Sequence, residues 1–415
     1  MSTLSTALPA AAVTDSEARS LVLVLAASAA AAFLSQVSRR LVFPTVVVEI
    51  VLGILLGPEA LGWATPNQFI RFLANLGLAV LFFFAGLEVV EKHVPTRAIV
   101  RGTFGWAISI VLGIGLGYAL NRLGLNAAGW LLGVALSTTS LGTLVPILSD
   151  SGVLRTPLGT AVLGTGVAGE FWPIVVISIF LTGVYGAATE VVLLLLFGGV
   201  AIGAAVVALR ARPPRIVTIL RETLESTGQA AVRLSILVLG ALVLLAIDVG
   251  FDFVLGAFAA GLIVGLVLNS PEGQLVRIRL EGIGFGFLIP LYFVTTGLTF
   301  DLDSLLSARG LLLAALFLAL LLVVRGSSAL LWANELGGRP TAGLALYGAT
   351  ALPLVVAIVT IGTEHGAIAA NVGASLIGAG MISVLVYPLA AGVVAGVGSL
   401  PTADRSSTPA ESAEF

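Results

Sequence analysis

Two charged residues sit where the rest of the chain is apolar. Glu170 lies inside the run 156–181 and Arg325 inside the run 311–331, each long enough to cross a bilayer as a helix. An ionised side chain in hydrocarbon is costly. Residues of this kind face a protein interior or a water-filled cavity. One embedded acid and one embedded base point to a pathway for an ion or a proton. Two hydroxyl clusters add oxygen ligands: Ser137-Thr138-Thr139-Ser140, followed by Pro146, and Ala349-Thr350-Ala351, followed by Pro353. A cation that sheds its water shell needs replacement oxygens. Ser137, Thr138 and Thr139 can supply hydroxyls, and an interrupted helix can supply carbonyls. Ionised Glu170 can hold a monovalent cation and protonated Glu170 cannot, so the two ligands would compete there. Arginine keeps its proton in proteins, so Arg325 is expected to support the site without carrying a transported proton. The structural alternative is a permanent buried Glu170–Arg325 ion pair, since breaking such a pair strands the partner. Glu49 is a third embedded acid. It is expected either to hydrogen-bond between helices or to line a cytoplasmic access route.

The elements that position these residues follow from composition. Of the 415 residues, 58% are hydrophobic and 10% charged, against about 25% charged in soluble domains. The chain is therefore an integral membrane protein. Apolar segments of helical length exclude the short alternating strands of a barrel. A net charge of −2 gives no footprint for nucleic acid. With no cysteine and two histidines, His93 and His365, both in expected loops, no thiolate chemistry, metal cluster or Ser-His-Asp constellation assembles. The expectation is a non-enzymatic protein without cofactor or structural metal.

Thirteen spans are expected, at 20–37, 42–58, 68–91, 100–121, 128–149, 157–183, 188–209, 230–248, 252–269, 282–300, 310–333, 341–362 and 370–397. Residues 1–19 form an extracellular tail, 20–397 the transmembrane domain, and 398–415 a disordered cytoplasmic tail rich in Ser, Thr, Ala and Glu. The basic residues fall mostly after odd-numbered spans: Arg39 and Arg40; Lys92, Arg97 and Arg101; Arg155; the cluster Arg210 to Arg221; Arg277 and Arg279; Arg339. The opposite side carries only Arg19, Arg71, Arg122 and Arg309. The positive-inside rule then puts the N-terminus outside and the C-terminus in the cytoplasm of a multi-pass plasma-membrane protein.

The pattern also repeats. Gly53 and Gly57 of the second span match Gly261 and Gly265 of the ninth. Nearly equal intervals lead from each pair to the two hydroxyl clusters. The second and ninth spans run in opposite directions, which gives inverted repeats at 42–184 and 252–397. That plan is common in secondary transporters, with the site at discontinuous helices near the midplane. The fifth and twelfth spans are the expected broken helices. Proline removes a backbone donor, and hydroxyls cover freed carbonyls.

Several segments resemble the cation:proton antiporter-2 (Kef-type) family. Phe83-Phe84-Ala85-Gly86-Leu87-Glu88 is similar to its FxAGLE segment, and Val48-Glu49-Ile50 leading to Gly57-Pro58 to its early GEI and GP elements. Leu136 to Ser140, Gly152 to Gly159 and Pro290 to Asp301 resemble its fifth-span hydroxyl cluster, its GLLxTPxG and its PLFFVxxGLxxD. The resemblance runs from about Val42 to Tyr387. It implies an all-α sodium/proton antiporter fold of about 13 helices, with inverted repeats and two crossed broken helices. It also implies a homodimer in which the fourth to sixth and eleventh to thirteenth spans move against scaffold spans such as 42–58 and 252–269. The family's ion-binding carboxylate is the second residue of an Asp-Asp, Asn-Asp or Gln-Asp pair. Here the pair is Gly169-Glu170, with a longer acid and no polar partner before it. Arg325 matches the basic residue of the eleventh span. The expected function is exchange of a monovalent cation, sodium or potassium, for protons, with Glu170, Ser137, Thr138 and Thr139 binding the cation and Arg325, Thr350 and Glu49 in support. A gated cation channel and a proton-coupled exporter of an organic cation or ionophore complex are the alternatives. Gly169 leaves room for the exporter.

Overall fold

Proline and glycine punctuate the apolar runs and set the helix ends. Pro44 and Pro95 precede helices, and Pro157 and Pro353 begin them, where a missing N–H removes no helical bond. Gly250 and Gly396 end helices at φ 92° and φ 70°, which only glycine adopts readily. The computed structural model describes residues 15–37, 44–91, 94–180, 229–268 and 271–396, with 198, 199 and 203.

In chain order the helices are α1 (Asp15–Val37), α2 (Thr45–Leu56), α3 (Gln68–Glu91), α4 (Thr96–Arg122), α5 (Gly129–Leu136), α6 (Leu141–Asp150), α7 (Pro157–Phe180), α8 (Ala230–Val249) and α9 (Phe253–Leu268). They continue as α10 (Pro271–Ile283), α11 (Ile289–Leu298), α12 (Leu302–Leu306), α13 (Ala308–Gly326), α14 (Ala333–Leu336), α15 (Gly338–Gly348), α16 (Pro353–Glu364) and α17 (Ala370–Ala395). A π-helical turn, Gly284–Leu288, joins α10 to α11. Among the described residues nine helices are long and apolar enough to cross a membrane. Three shorter apolar helices, Thr45–Leu56, Gly129–Val145 and Phe253–Leu268, accompany them. These account for twelve of the thirteen expected spans. The seventh, 188–209, and the tail 398–415 lie outside the described residues. The first helix starts at Asp15, within the expected tail 1–19.

Both halves share one element order. In α2 to α7, and again in α9 to α17, the fourth span is the broken one. The breaks fall where the hydroxyl clusters stand, between α5 and α6 and between α15 and α16. The two prolines differ in role. Pro353 opens α16, whereas Pro146 lies inside α6, beyond the break. The first interruption therefore comes from Ser137–Ser140 and not from Pro146.

The chain forms two compact units, Met1–Val80 with Glu281–Leu302, and Leu81–Leu280 with Asp303–Phe415. In the first, α2 and α11 run parallel in backbone contact. Gly53 faces the Val294 carbonyl and Gly297 faces the Ile50 carbonyl, and a methyl group at either would strike backbone. Small residues allow this approach in a bilayer, where dispersion and not water exclusion holds helices together. In the second unit Gly261 of α9 meets Phe83 and Leu87 of α3 in the same way. Phe258 of α9 packs on Phe171 of α7, ring centroids 5.7 Å apart. Residues 252–269 thus belong with the helix that carries Glu170.

Candidate functional site: the crossing of two broken helices

All the residues described in this paragraph and the next belong to the second unit. The two broken helices cross antiparallel. The stretch before α5 meets the stretch after α16: Ala128 N–H donates to the Ala367 carbonyl (2.7 Å) and Ala369 N–H to the Asn126 carbonyl (2.9 Å). At the crossing itself Ser140 N–H donates to the Thr350 carbonyl at 2.8 Å. Four helix ends converge here. Aligned peptide dipoles leave about half a positive charge at each N-terminus and half a negative charge at each C-terminus.

Glu170 serves one of these ends. Its Oε1 accepts Leu141 N–H, the first of α6, at 2.6 Å. Glu170 is buried, and its Oε2 is shielded from solvent. Glu88 also approaches α6: a Cβ built on Gly142 would lie 3.6 Å from Glu88 Oε1. The start of α16 is met by a neutral group, with Ala351 N–H donating to Ser383 Oγ at 3.1 Å. The end of α15 is met by Thr139, whose Oγ1 donates to the Gly348 carbonyl at 2.6 Å and accepts Arg325 Nε at 2.8 Å. Arg325 is fully buried. Its other bonds run to Ser109 Oγ (3.4 Å) and the Thr165 carbonyl (3.0 Å), all neutral oxygens. The guanidinium therefore reaches the end of α15 only through Thr139, and it braces α4, α7 and the first break.

The remaining expected ligands are brought to the same place, already engaged. Ser137 Oγ donates to the Val134 carbonyl and Thr138 Oγ1 to the Ala135 carbonyl, each at 2.8 Å, so both cover the freed end of α5. A hydroxyl that donates one bond keeps lone pairs for another partner. Thr350 is buried and bonds back to Leu346 at 3.3 Å. Glu49 belongs to the first unit, on α2.

Gly169 explains itself in the structure. A side chain there would begin 2.7 Å from Arg325 Nη2 and 2.8 Å from Thr139 Oγ1. The space of the family's first pair residue is thus filled by Arg325 and Thr139. Sequence reading missed this, along with Ser109, Thr165, Ser383 and Pro173. Pro173 did carry a legible signal. Inside α7 it donates no hydrogen bond to Gly169, four residues back. The freed Gly169 carbonyl instead accepts Thr139 N–H at 3.2 Å. The proline beside Glu170 thereby ties α7 to the first break.

Comparison with known proteins agrees with this architecture. A Bacillus subtilis relative is 27% identical over 368 residues, 84% of this chain and 59% of its own length. The chain thus spans less than two thirds of that protein. The Na(+)/H(+)-K(+) antiporter of Bacillus cereus is 25% identical over 296 residues, 68% of this chain and 72% of that protein. The structure of the sodium proton antiporter from Methanocaldococcus jannaschii at pH 8 superposes with a TM-score of 0.67. It covers 92% of this chain and 99% of its own, at 18% identity, and so shares the fold. The family profile described as sodium/hydrogen exchanger, transmembrane, matches residues 24–395. With nearly all of its membrane helices inside that match, the chain belongs to the sodium/hydrogen exchanger family.

Proposed function

We propose that the protein exchanges a monovalent cation, sodium or potassium, for protons, with Glu170 binding the two in competition. The observation that carries this reading is the buried carboxylate at the crossing of two broken helices. Glu170 is held by the N-terminus of α6, and the hydrogen bonds of Arg325 go to Thr139, Ser109 and Thr165. When the carboxyl is protonated the cation has lost its charge partner, and when the cation is bound the proton is displaced. Ser137 and Thr138 are the candidate hydroxyl ligands, while Thr139, Thr350 and Arg325 hold the crossing in shape. The protein sits in the plasma membrane with its N-terminus outside, on the distribution of basic residues.

One carboxylate and one permanent positive charge give one proton per monovalent cation. In proteoliposomes with an acid interior, sodium or potassium should collapse the pH gradient with saturation. An imposed membrane potential should leave the initial rate unchanged. Flux that neither saturates nor moves protons would favour the gated-channel alternative. A rate that follows the potential would overturn the one-for-one stoichiometry.

The protein is also proposed to be a homodimer, as the family resemblance implies. Native mass spectrometry from lipid nanodiscs should give two chains per particle; one chain per particle overturns this.

A further inference from the structure

The two halves cap their broken helices with different chemistry. The second pieces of the broken spans are α6 and α16, and each is followed by the last long helix of its half, α7 or α17. Glu170 stands thirteen residues beyond Pro157, the first residue of α7, and Ser383 stands thirteen beyond Ala370, the first residue of α17. The inverted repeat therefore has Ser383 where the first half has its carboxylate. Both side chains hold a backbone donor at a break. Glu170 Oε1 accepts Leu141 N–H at 2.6 Å, and Ser383 Oγ accepts Ala351 N–H at 3.1 Å.

Ser383 also reaches the first break, through a single peptide unit. The Thr350 carbonyl and the Ala351 N–H belong to one planar, rigid group. Its N–H donates to Ser383 Oγ, and its carbonyl accepts Ser140 N–H at 2.8 Å. Ser140 is the N-cap of α6, and the next N–H along the chain is that of Leu141, which Glu170 accepts. A run of bonded groups thus leads from Ser383 to Glu170, all of it inside the second unit. Hydrogen bonds in series polarise one another, so a peptide with its N–H engaged offers a stronger carbonyl acceptor.

The surroundings leave this hydroxyl no substitute. Ser383, Thr350, Ala351 and Ser140 are all buried, so loss of the Ser383 oxygen leaves a buried N–H unsatisfied. The Ser383 proton lies 2.7 Å from the Gly380 carbonyl oxygen and 3.1 Å from that of Ala351, measured from Oγ, which fixes the hydroxyl further. Gly380 lets α17 come this close. A methyl group there would stand 2.8 Å from the Ala351 carbonyl oxygen.

We propose that Ser383 is a positioning residue for cation binding: through the Thr350–Ala351 peptide and Ser140 it fixes the start of α6, and with it the Leu141 N–H that orients the Glu170 carboxylate. The proposal rests on the exchange reading of Glu170. A neutral hydroxyl suits the role, because it holds the peptide without adding a second charge to compete for the cation or the proton. Ser383 acts on how much of the time the site is preformed. A site assembled for only a fraction of the time binds with an affinity reduced by that fraction, whereas the turnover of the loaded protein is unchanged.

Two measurements on the full chain in lipid test this. Hydrogen–deuterium exchange needs no transport. Ser383→Ala should speed exchange in residues 138–144 as well as 350–354 and leave 230–249, on α8, unchanged. Ser383→Thr keeps the acceptor oxygen and should restore both segments. In proteoliposomes the sodium or potassium concentration that half-saturates exchange should rise roughly fivefold in Ser383→Ala, the factor that a hydrogen bond of ordinary strength is worth. The maximal rate per folded protein should hold, and Ser383→Thr should bring half-saturation back. If Ser383→Ala folds poorly, Ser383→Cys, of similar size but a weak acceptor, should move both readouts the same way by less. Exchange in residues 138–144 that ignores the loss of the hydroxyl, whatever happens at 350–354, overturns the link between the breaks. A lower maximal rate at unchanged half-saturation overturns the positioning role and leaves Ser383 a structural residue. If the unaltered protein moves no protons with either cation, the exchange reading fails, while deuterium exchange still decides whether Ser383 fixes the start of α6.

Discussion

Glu170→Gln is expected to reduce cation-driven proton movement in proteoliposomes to the level of protein-free vesicles, with little change in folding. Glutamine keeps an oxygen that can accept Leu141 N–H, now at 2.6 Å from Glu170 Oε1, so the start of α6 stays capped. What is lost is the charge. A helix N-terminus gains about 0.3–1 kcal/mol from a nearby anion, and up to about 2 kcal/mol when partly buried. A loss of that size leaves the bundle assembled. Binding is affected far more, because a neutral amide neither offsets the charge of a dehydrated cation nor releases a proton. Glu170→Asp separates charge from reach: it keeps the acid but shortens it by one methylene, away from Leu141. Exchange should fall without vanishing. Thermal unfolding in detergent checks the folding half, and the pH-gradient assay checks the transport half. Near-normal exchange by a well-folded Glu170→Gln protein would remove Glu170 from the mechanism.

Gly169→Ala should be among the most damaging single-methyl changes in the membrane domain. The new carbon would lie 2.7 Å from Arg325 Nη2, 2.8 Å from Thr139 Oγ1 and 2.9 Å from Thr139 Cβ. These atoms have little freedom to move. Arg325 is fully buried and bonded to Thr165, Ser109 and Thr139, and Thr139 is bonded in turn to the Gly348 carbonyl. Overpacking a tight interior costs about 1–3 kcal/mol. Separating a buried charge from its hydrogen-bond acceptors adds to that, so a loss of about 2–4 kcal/mol is expected. Exchange should fall as well, because the same displacement disturbs the crossing. Gly115→Ala on α4 is the control. Nothing lies within 4 Å of a Cβ there, and alanine favours a helix over glycine by about 1 kcal/mol. That variant should be neutral or more stable. Equal melting temperatures for the Gly169→Ala and unaltered proteins would show that Arg325 does not occupy this space.

The same two residues separate what was legible in the sequence from what was not. Glu170 could be read directly, because one acid inside a bilayer-length apolar run needs a reason whatever the fold. The spans were equally legible, since their lengths follow from bilayer thickness and helical rise. The breaks could be placed in the fifth and twelfth spans because each combines hydroxyl residues with a mid-span proline at matching positions. Pro146 misled for a related reason: proline interrupts a helix only where its missing N–H or its ring conflicts with an established turn, and the break had already occurred at Ser137–Ser140. Gly169 read as a missing polar residue, with room left beside the acid. In the structure that room is taken by a guanidinium from a residue 156 positions further along the chain. Thr139 read as an ion ligand, and it is bonded to Gly348 and Arg325 on the far side of the crossing. Hydropathy and local backbone chemistry act within one span, so the sequence by itself determined the helices, their interruptions and the embedded charges. Which groups fill the space beside Glu170 depends on contacts between spans far apart in the chain, and only the tertiary structure decided them.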